Sequence, residues 1–254
     1  MARRLIVNAD DFGFTRDVNE GIVEAHRRGI LTAATLMASG PAFDHAVALS
    51  LETPSLDVGC HLVLARWRLL RSGLAEREFQ AQVDKILAAG LRPSHLDTHK
   101  HTHLAPPVLE AVCRIAQRYG IPWVRRPFDL PLTAAAPLSV RVVNAGLQPA
   151  RLLFARALRR YGCRSTDHFA GFQLTGRFRA AELAALIRAL PDGLTEFMCH
   201  PGFCTEELRA APTRLKESRA AELAALTSEE VRRAIEETGV ELVNYRADRD
   251  QNVR

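Results

Sequence analysis

Short apolar runs along this chain alternate with longer stretches in which apolar residues recur every three or four positions. Runs of the first kind lie at Leu5–Asn8, Ala33–Ala38, Asp57–His61, His95–Thr98, Pro122–Arg125, His168–Phe172, Glu196–Cys199 and Glu241–Tyr245, and predict strands. The second kind predicts helices over Asp17–Arg28, Glu76–Ala89, Pro107–Tyr119 and Ser228–Thr238. Each is followed by a glycine (Gly29, Gly90, Gly120, Gly239) able to close the last turn in a left-handed conformation. Thr227 and Glu230 have capping-box spacing at the start of the last helix. This alternation predicts βα units and a mostly parallel sheet of the α/β class. So many strands in one chain point to a single irregular (β/α) TIM-like barrel over residues 1–254. A dinucleotide-binding sheet is disfavoured, because no G-x-G-x-x-G follows the first strand and no G-x-x-x-x-G-K-[ST] occurs.

Composition narrows the class. The 254 residues are 47% hydrophobic and 25% charged, as in ordinary globular proteins, which excludes disordered, collagen-like and coiled-coil chains. No apolar run approaches the ~20 residues needed to span a bilayer. The apolar stretch near the start is only Leu5-Ile6-Val7, too short for the central region of a signal peptide, so a cytoplasmic location is expected. Cys60, Cys113, Cys163, Cys199 and Cys204 are scattered, odd in number and without a C-x-x-C pair, which argues against a disulfide framework or a cysteine zinc site.

The chemistry-bearing residues gather at the C-terminal ends of predicted strands, where a barrel places its reactive groups. The first strand leads into Asn8-Ala9-Asp10-Asp11-Phe12-Gly13, the third ends at Gly59-Cys60-His61, and the seventh ends at His200-Pro201-Gly202. The fourth runs into His95-Leu96-Asp97-Thr98-His99-Lys100-His101-Thr102-His103. Each has a plainer explanation: Asp-Asp-Phe-Gly as a turn and helix cap, a lone His61 as a hydrogen-bonded core residue, His200-Pro-Gly as a turn. In extended chain, a spacing of two puts His99, His101 and His103 on one face, although a polar strand end explains that too. All four features fall at the same ends of separate strands. Two histidines and a carboxylate suit a hydrolytic divalent-metal site, with a further carboxylate as proton acceptor and a further histidine as donor.

Together these motifs resemble the YdjC-like (ChbG-type) carbohydrate deacetylases. The matching stretches are NADDFG (Asn8–Gly13), Asn19-Glu20-Gly21-Ile22, Gly29-Ile30-Leu31-Thr32, Gly59-x-His61, HLDTHKHTH (His95–His103) and MCHPG (Met198–Gly202). THKHTH with WVRRPFD (Trp123–Asp129) is most similar to the hopanoid-biosynthesis branch, HpnK. The resemblance implies a distorted barrel that removes acetyl groups from N-acetyl amino sugars with one divalent ion, magnesium or zinc. Carried over by position, Asp11, His61 and His99 are metal ligands, Asp10 is the general base and His200 the general acid. Asp97 is placed to hydrogen-bond a ligand histidine, and Arg125 either keeps Asp10 ionised or forms a structural ion pair. His101 and His103 stay open between lining the sugar site, adding a ligand and supporting His99. The segment after His61, Ala65–Gln80, is shorter than in relatives, which implies a more open site suited to a bulky substrate.

The formal charge of +5 is unevenly spread. Arg141 to Arg179 holds eight arginines against the single acid Asp167, so the rest of the chain is slightly acidic. Within it Pro149–Tyr161 reads as an amphipathic helix, with Leu153, Phe154, Ala157, Leu158 and Tyr161 opposite Arg151, Arg156, Arg159 and Arg160. It is either an ordinary barrel helix with a solvated face or a peripheral contact with anionic lipid at the inner face of the membrane. Nucleic acid is disfavoured, since aromatics are 6% of the chain and no binding module is present. A homodimer is the base-rate expectation. The function expected is removal of an N-acetyl group from an amino sugar on a glycosylated hopanoid lipid. The alternatives are a soluble chito-oligosaccharide deacetylase and a non-catalytic metal-binding or scaffolding protein.

Overall fold

The computed structural model describes residues 2–64, 72–130 and 138–247. Eight parallel strands form one curled sheet: β1 (Arg3–Phe12), β2 (Ala33–Leu36), β3 (Asp57–Leu62), β4 (His95–Thr98), β5 (Trp123–Val124), β6 (His168–Ala170), β7 (Gly193–Cys199) and β8 (Glu241–Leu242). The hydrogen-bonded order is β5-β4-β3-β2-β1-β7-β6, with β8 added against the start of β1. The helices are α1 (Arg16–Arg28), α2 (Phe43–Glu52), α3 (Ser72–Ala88), α4 (Pro106–Tyr119), α5 (Leu138–Leu147), α6 (Arg151–Arg160), α7 (Ala180–Arg188), α8 (Glu206–Ala210), α9 (Glu217–Leu226) and α10 (Glu229–Thr238).

The TIM-like expectation is corrected in one respect: the sheet curls but does not close. Among the described residues, the β5 and β6 regions meet through the isolated parallel bridges Trp123–Arg164 and Asp129–Phe169 rather than a continuous ladder. No helix among the described residues is long and apolar enough to cross a membrane.

Alternation along the strands sorts side chains between two environments. Leu5, Val7 and Ala9 of β1, Val58, Cys60 and Leu62 of β3, Leu96 of β4 and Phe197 and Cys199 of β7 join the large core under the helices. Residues of the other parity face the inside of the curl. At its base Ile6, Ala33, Trp123, Leu194 and Tyr245 form a small apolar plug. Above it the same parity carries Asn8, Asp10, Thr35, His61, His95, Asp97, Arg125 and Glu196, all buried.

Several local expectations shift. Gly90, Gly120 and Gly239 are left-handed, but Gly29 is extended. A Cβ there would come within 2.4 Å of the Leu226 carbonyl oxygen, so close packing rather than φ excludes a side chain. The last helix is capped by Ser228, whose Oγ accepts from Val231 N, while the Thr227 hydroxyl instead donates back to Leu223 O in α9. Of the segment read as a shortened cover after His61, residues 65–71 lie outside the described residues and Ser72 onward belongs to α3. In α6, Phe154 and Leu158 face inward as predicted, but Leu153 is 62% exposed and Leu152 71%. The inward stripe is too narrow to include Leu153, which the periodicity had placed on it.

Candidate active site

β1 runs through Phe12, so both carboxylates of Asp10-Asp11 belong to the strand rather than to a turn beyond it. Its pairing with β2 slips between Ala9 and Phe12, and there Asp11 takes a left-handed φ of 67°. This irregularity breaks the alternation and lets two consecutive carboxylates enter one cavity. The cavity, of about 580 Å³ at the C-terminal ends of the strands, is lined by Asp10, Asp11, His61, His99, His101 and His200, with Lys100, Arg214 and Arg219 among the other contributors.

Asp10 is clamped by Arg125 from β5's end. Arg125 Nη1 donates to Asp10 Oδ2 and Nη2 to Oδ1, both at 2.7 Å. Asn8 Nδ2 and Thr35 Oγ1 add bonds to Oδ1 at 3.2 and 3.4 Å. Burial works against the charge on Asp10, but the Arg125 guanidinium, aided by His61, overrides it and holds the carboxyl well below the usual carboxylate range. Arg125 also lies 2.7 Å from Asp97 Oδ2 and donates from Nε to Glu196 Oε1 at 2.7 Å, so one buried cation serves three buried carboxylates.

Asp11, His61 and His99 converge. Asp11 Oδ1 lies 3.4 Å from His61 Nε2 and 3.2 Å from His99 Nδ1, and the two nitrogens are 3.2 Å apart. Donor atoms about 2.1 Å from a common ion stand roughly 3.0–3.4 Å from one another. Asp11 Oδ1 is buried without a hydrogen bond, which a cation would remedy. His61 Nδ1 faces Asp97 Oδ1 at 2.7 Å, and that bond places the proton on Nδ1 and frees Nε2. Burial opposes a charge on His61, but Asp97 and Asp10 push it up to about 10, so a cation taking Nε2 would displace a proton. The residues therefore fit a divalent ion. A second convergence, Asp10, His61 and Asp97, does not, because the Arg125 guanidinium already neutralises both its carboxylates.

The histidine row does not share one face. After Thr98 the chain turns into a 3₁₀ stretch, His99–Leu104, in which Lys100 and His101 have φ of 58° and 51°. These two left-handed residues send the three rings to different places. His99 reaches the triad, and His101 packs against Phe169 and Phe172 with Nδ1 buried and unpaired. His103 is fully buried between the Thr98 hydroxyl (2.5 Å) and the Arg125 carbonyl (2.9 Å). With both ring nitrogens bonded in the core and burial pushing its pKa down to about 3, His103 is a neutral structural residue.

His200 follows β7 and lines the cavity with Nδ1 buried and unpaired. Burial lowers it to about 4 although Asp10 and Asp11 pull the other way, so the resting ring is neutral. Its backbone N–H donates to Glu222 Oε2 at 2.6 Å, and Glu222 Oε1 accepts from Gly176 N at 2.7 Å. Sequence reasoning missed Glu222 and Arg219 on α9, and Glu196 on β7. Glu196 was legible, since stepping back by two from His200 stays on the inward parity. Arg219 and Glu222 look like the solvated face of an ordinary helix, and nothing local distinguishes them.

The motif glycines also find their reasons. A Cβ on Gly59 would stand 2.5 Å from the His95 ring, and one on Gly21 of α1 would stand 2.4 Å from Gly202 Cα. Asn19 accepts from Gly13 N at 2.6 Å and donates to Ala42 O at 3.0 Å, tying α1 to the loops after β1 and β2.

Comparison with known proteins extends this picture. The chain is 34% identical over 267 residues to a carbohydrate deacetylase of Brevibacillus brevis, with 95% of this chain and 98% of that protein covered. It is 35% identical over 271 residues to a carbohydrate deacetylase of Geobacillus stearothermophilus, with 97% and 98% covered. Among solved structures, a proposed cellobiose-phosphate cleavage protein of Enterococcus faecalis V583 superposes with a TM-score of 0.77 at 25% identity, covering 97% and 99% of the two chains. A family 4 carbohydrate esterase of Streptomyces lividans in complex with acetate shares the fold at a TM-score of 0.50 and 12% identity, covering 95% and 92%. The profile of the family described as YdjC-like protein matches residues 4–237, nearly the whole of the described sheet and its helices. With that span and relatives above 30% identity along their full length, the chain belongs to the YdjC-like family.

Proposed function

We propose that this protein is a metal-dependent carbohydrate deacetylase that hydrolyses the N-acetyl group of an amino sugar. The observation that carries the reading is the convergence of Asp11 Oδ1, His61 Nε2 and His99 Nδ1 within 3.4 Å, beside an Asp10 kept anionic by Arg125. The names of the relatives, carbohydrate deacetylases, agree with it.

In this reading Asp11, His61 and His99 hold one divalent ion, zinc or magnesium, which when bound polarises the acetyl carbonyl and makes a nearby water more acidic. Two imidazoles favour zinc, cobalt or nickel over magnesium. Asp10 accepts a proton as water adds to the acetyl carbon. Its carboxylate, held anionic by Arg125, is available to take that proton. One proton closes the balance: taken by Asp10, it ends on the amine nitrogen as the C–N bond breaks, with His200 as its carrier. A neutral resting His200 is consistent with receiving that proton before giving it up. Asp97 orients His61, Arg125 fixes Asp10, and His101, unpaired in the cavity wall, is available to a sugar hydroxyl or acetamide.

The substrate proposed is an N-acetylaminosugar on a glycosylated hopanoid lipid met at the inner membrane face. Supporting this, Leu138, Val142, Val143, Leu152 and Leu153 of α5 and α6 are exposed on the same stretch of chain as Arg141, Arg151, Arg156, Arg159 and Arg160. Aliphatic side chains among arginines suit a surface of anionic lipid.

Acetate release from an N-acetylglucosaminyl hopanoid and from diacetylchitobiose tests both levels. Turnover of either, abolished by a chelator and lowered about 10²–10⁴-fold in Asp10→Asn with metal binding retained, is the expected result. Equal background rates in parent and variant would instead identify a non-catalytic metal-binding protein. Activity on the soluble sugar alone would remove the lipid substrate, and failure to sediment with anionic vesicles would remove the membrane contact.

A further inference from the structure

The carboxylate of Asp11 has two oxygens with different surroundings. Oδ1 faces His61 and His99 and is free of hydrogen bonds, whereas Oδ2 accepts from Arg219 Nη2 at 2.5 Å. Arg219 comes from α9, late in the chain, and is 1% exposed. Its Nε donates to Leu215 O at 3.3 Å, its backbone carbonyl accepts from Gly202 N at 3.3 Å, and its guanidinium lies over the Phe14 ring. The side chain is therefore anchored at Nε and Nη2, while Nη1 is buried without a partner in a residue that lines the cavity.

A fixed positive charge beside a cation-binding carboxylate is electrostatically unfavourable for cation binding. Its presence needs a compensating gain, and geometry provides one. The terminal torsion of an aspartate is soft and roughly two-fold. Without a partner on Oδ2 the group is free to rotate or to chelate through both oxygens. We propose that Arg219 is a positioning residue of the metal triad: by occupying Oδ2 it presents Oδ1 alone to the ion, in register with His61 Nε2 and His99 Nδ1. The proposal rests on the reading of Asp11, His61 and His99 as the metal triad. The same helix face carries Glu222, one turn on, which holds the backbone of His200. One helix thus anchors both walls of the site.

The two signs separate positioning from simple charge. Apo protein, prepared with a chelator, is titrated with Zn²⁺ or Co²⁺ in competition with a chromogenic chelator, for the parent, Arg219→Gln and Arg219→Lys, with circular dichroism to confirm folding. Charge alone predicts tighter binding in R219Q and no change in R219K. Positioning predicts weaker binding in both, by about 10–100-fold in R219Q and less in R219K, which keeps one donor but loses the planar fork. R219Q binding as tightly as the parent, or more tightly, overturns the proposal. If R219Q does not fold, parental affinity in R219K overturns it equally. A parent that binds neither ion refutes the triad itself, a result distinct from tight binding by the variants.

Discussion

Arg125 and His103 show how single buried residues divide the work of this site. The Arg125 guanidinium has a carboxylate at each of its three nitrogens, and its backbone carbonyl accepts from the His103 ring. A buried charge cluster of this kind is a weak source of stability but is costly to break, because removing one member leaves the others uncompensated. His103 lies beneath it as a neutral strut. Its folded pKa of about 3 is below its ordinary 6.5, so between those values the unfolded chain binds more protons than the folded one. Its contribution is complete above pH 6.5 and is lost as the pH falls towards 3, at no more than about 1.4 kcal/mol per pH unit. Urea denaturation of the parent and His103→Gln across pH 4–7 should show a shallower pH dependence in the variant. Parallel curves would mean that His103 is not buried neutral. From sequence the three alternating histidines look equivalent; their separation depends on two left-handed residues, Lys100 and His101, that no propensity favours.

At the scale of elements, the site is held by contacts between pieces distant in the chain. The approach of α1 to the loop after β7 is close enough that a Cβ on Gly21 would fall 2.4 Å from Gly202 Cα and 2.8 Å from its carbonyl carbon. Both opposing atoms are backbone and cannot step aside as a side chain would. Gly21→Ala should therefore cost about 1–3 kcal/mol and lower activity by shifting the His200-Pro201-Gly202 loop, read as a drop in both melting temperature and kcat. A stable G21A of full activity would mean the contact is looser than the packing indicates. Strand positions were legible from periodicity, since the strands of the described residues occur where the apolar runs predict them, whereas helices α2, α5, α7, α8 and α9 were not anticipated. The length of β1 was not: hydrophobicity stops at Ala9, while the strand continues through Asp10 and Asp11 because their charges meet Arg125 and Arg219.

Across the whole molecule the open curl is sealed at its base from the C-terminal side. β8 pairs with Arg4 and Leu5 of β1 and carries Tyr245 into the plug, where its ring stacks on His95 at 3.8 Å and leans on Trp123 at 5.8 Å. Tyr245→Ala should destabilise the protein by about 3–5 kcal/mol in chemical denaturation, the usual result of emptying a large buried aromatic site. A loss below 1 kcal/mol would show that the curl does not depend on this plug. The α/β class, the parallel strands, the motif residues at strand ends and the basic character of the α5–α6 segment were all determined by the sequence itself. These follow from local periodicity and from the parity rule of a strand, which need only neighbours in the chain. Tertiary structure alone decided that the sheet stays open, where the His101 and His103 rings go, and that Arg219 and Glu222 belong to the site. A ladder, an ion pair or a hydrogen bond between residues far apart in sequence leaves no periodic trace, because its partner is chosen by the fold, and the His101 and His103 rings are set by a left-handed turn that breaks the parity of the strand.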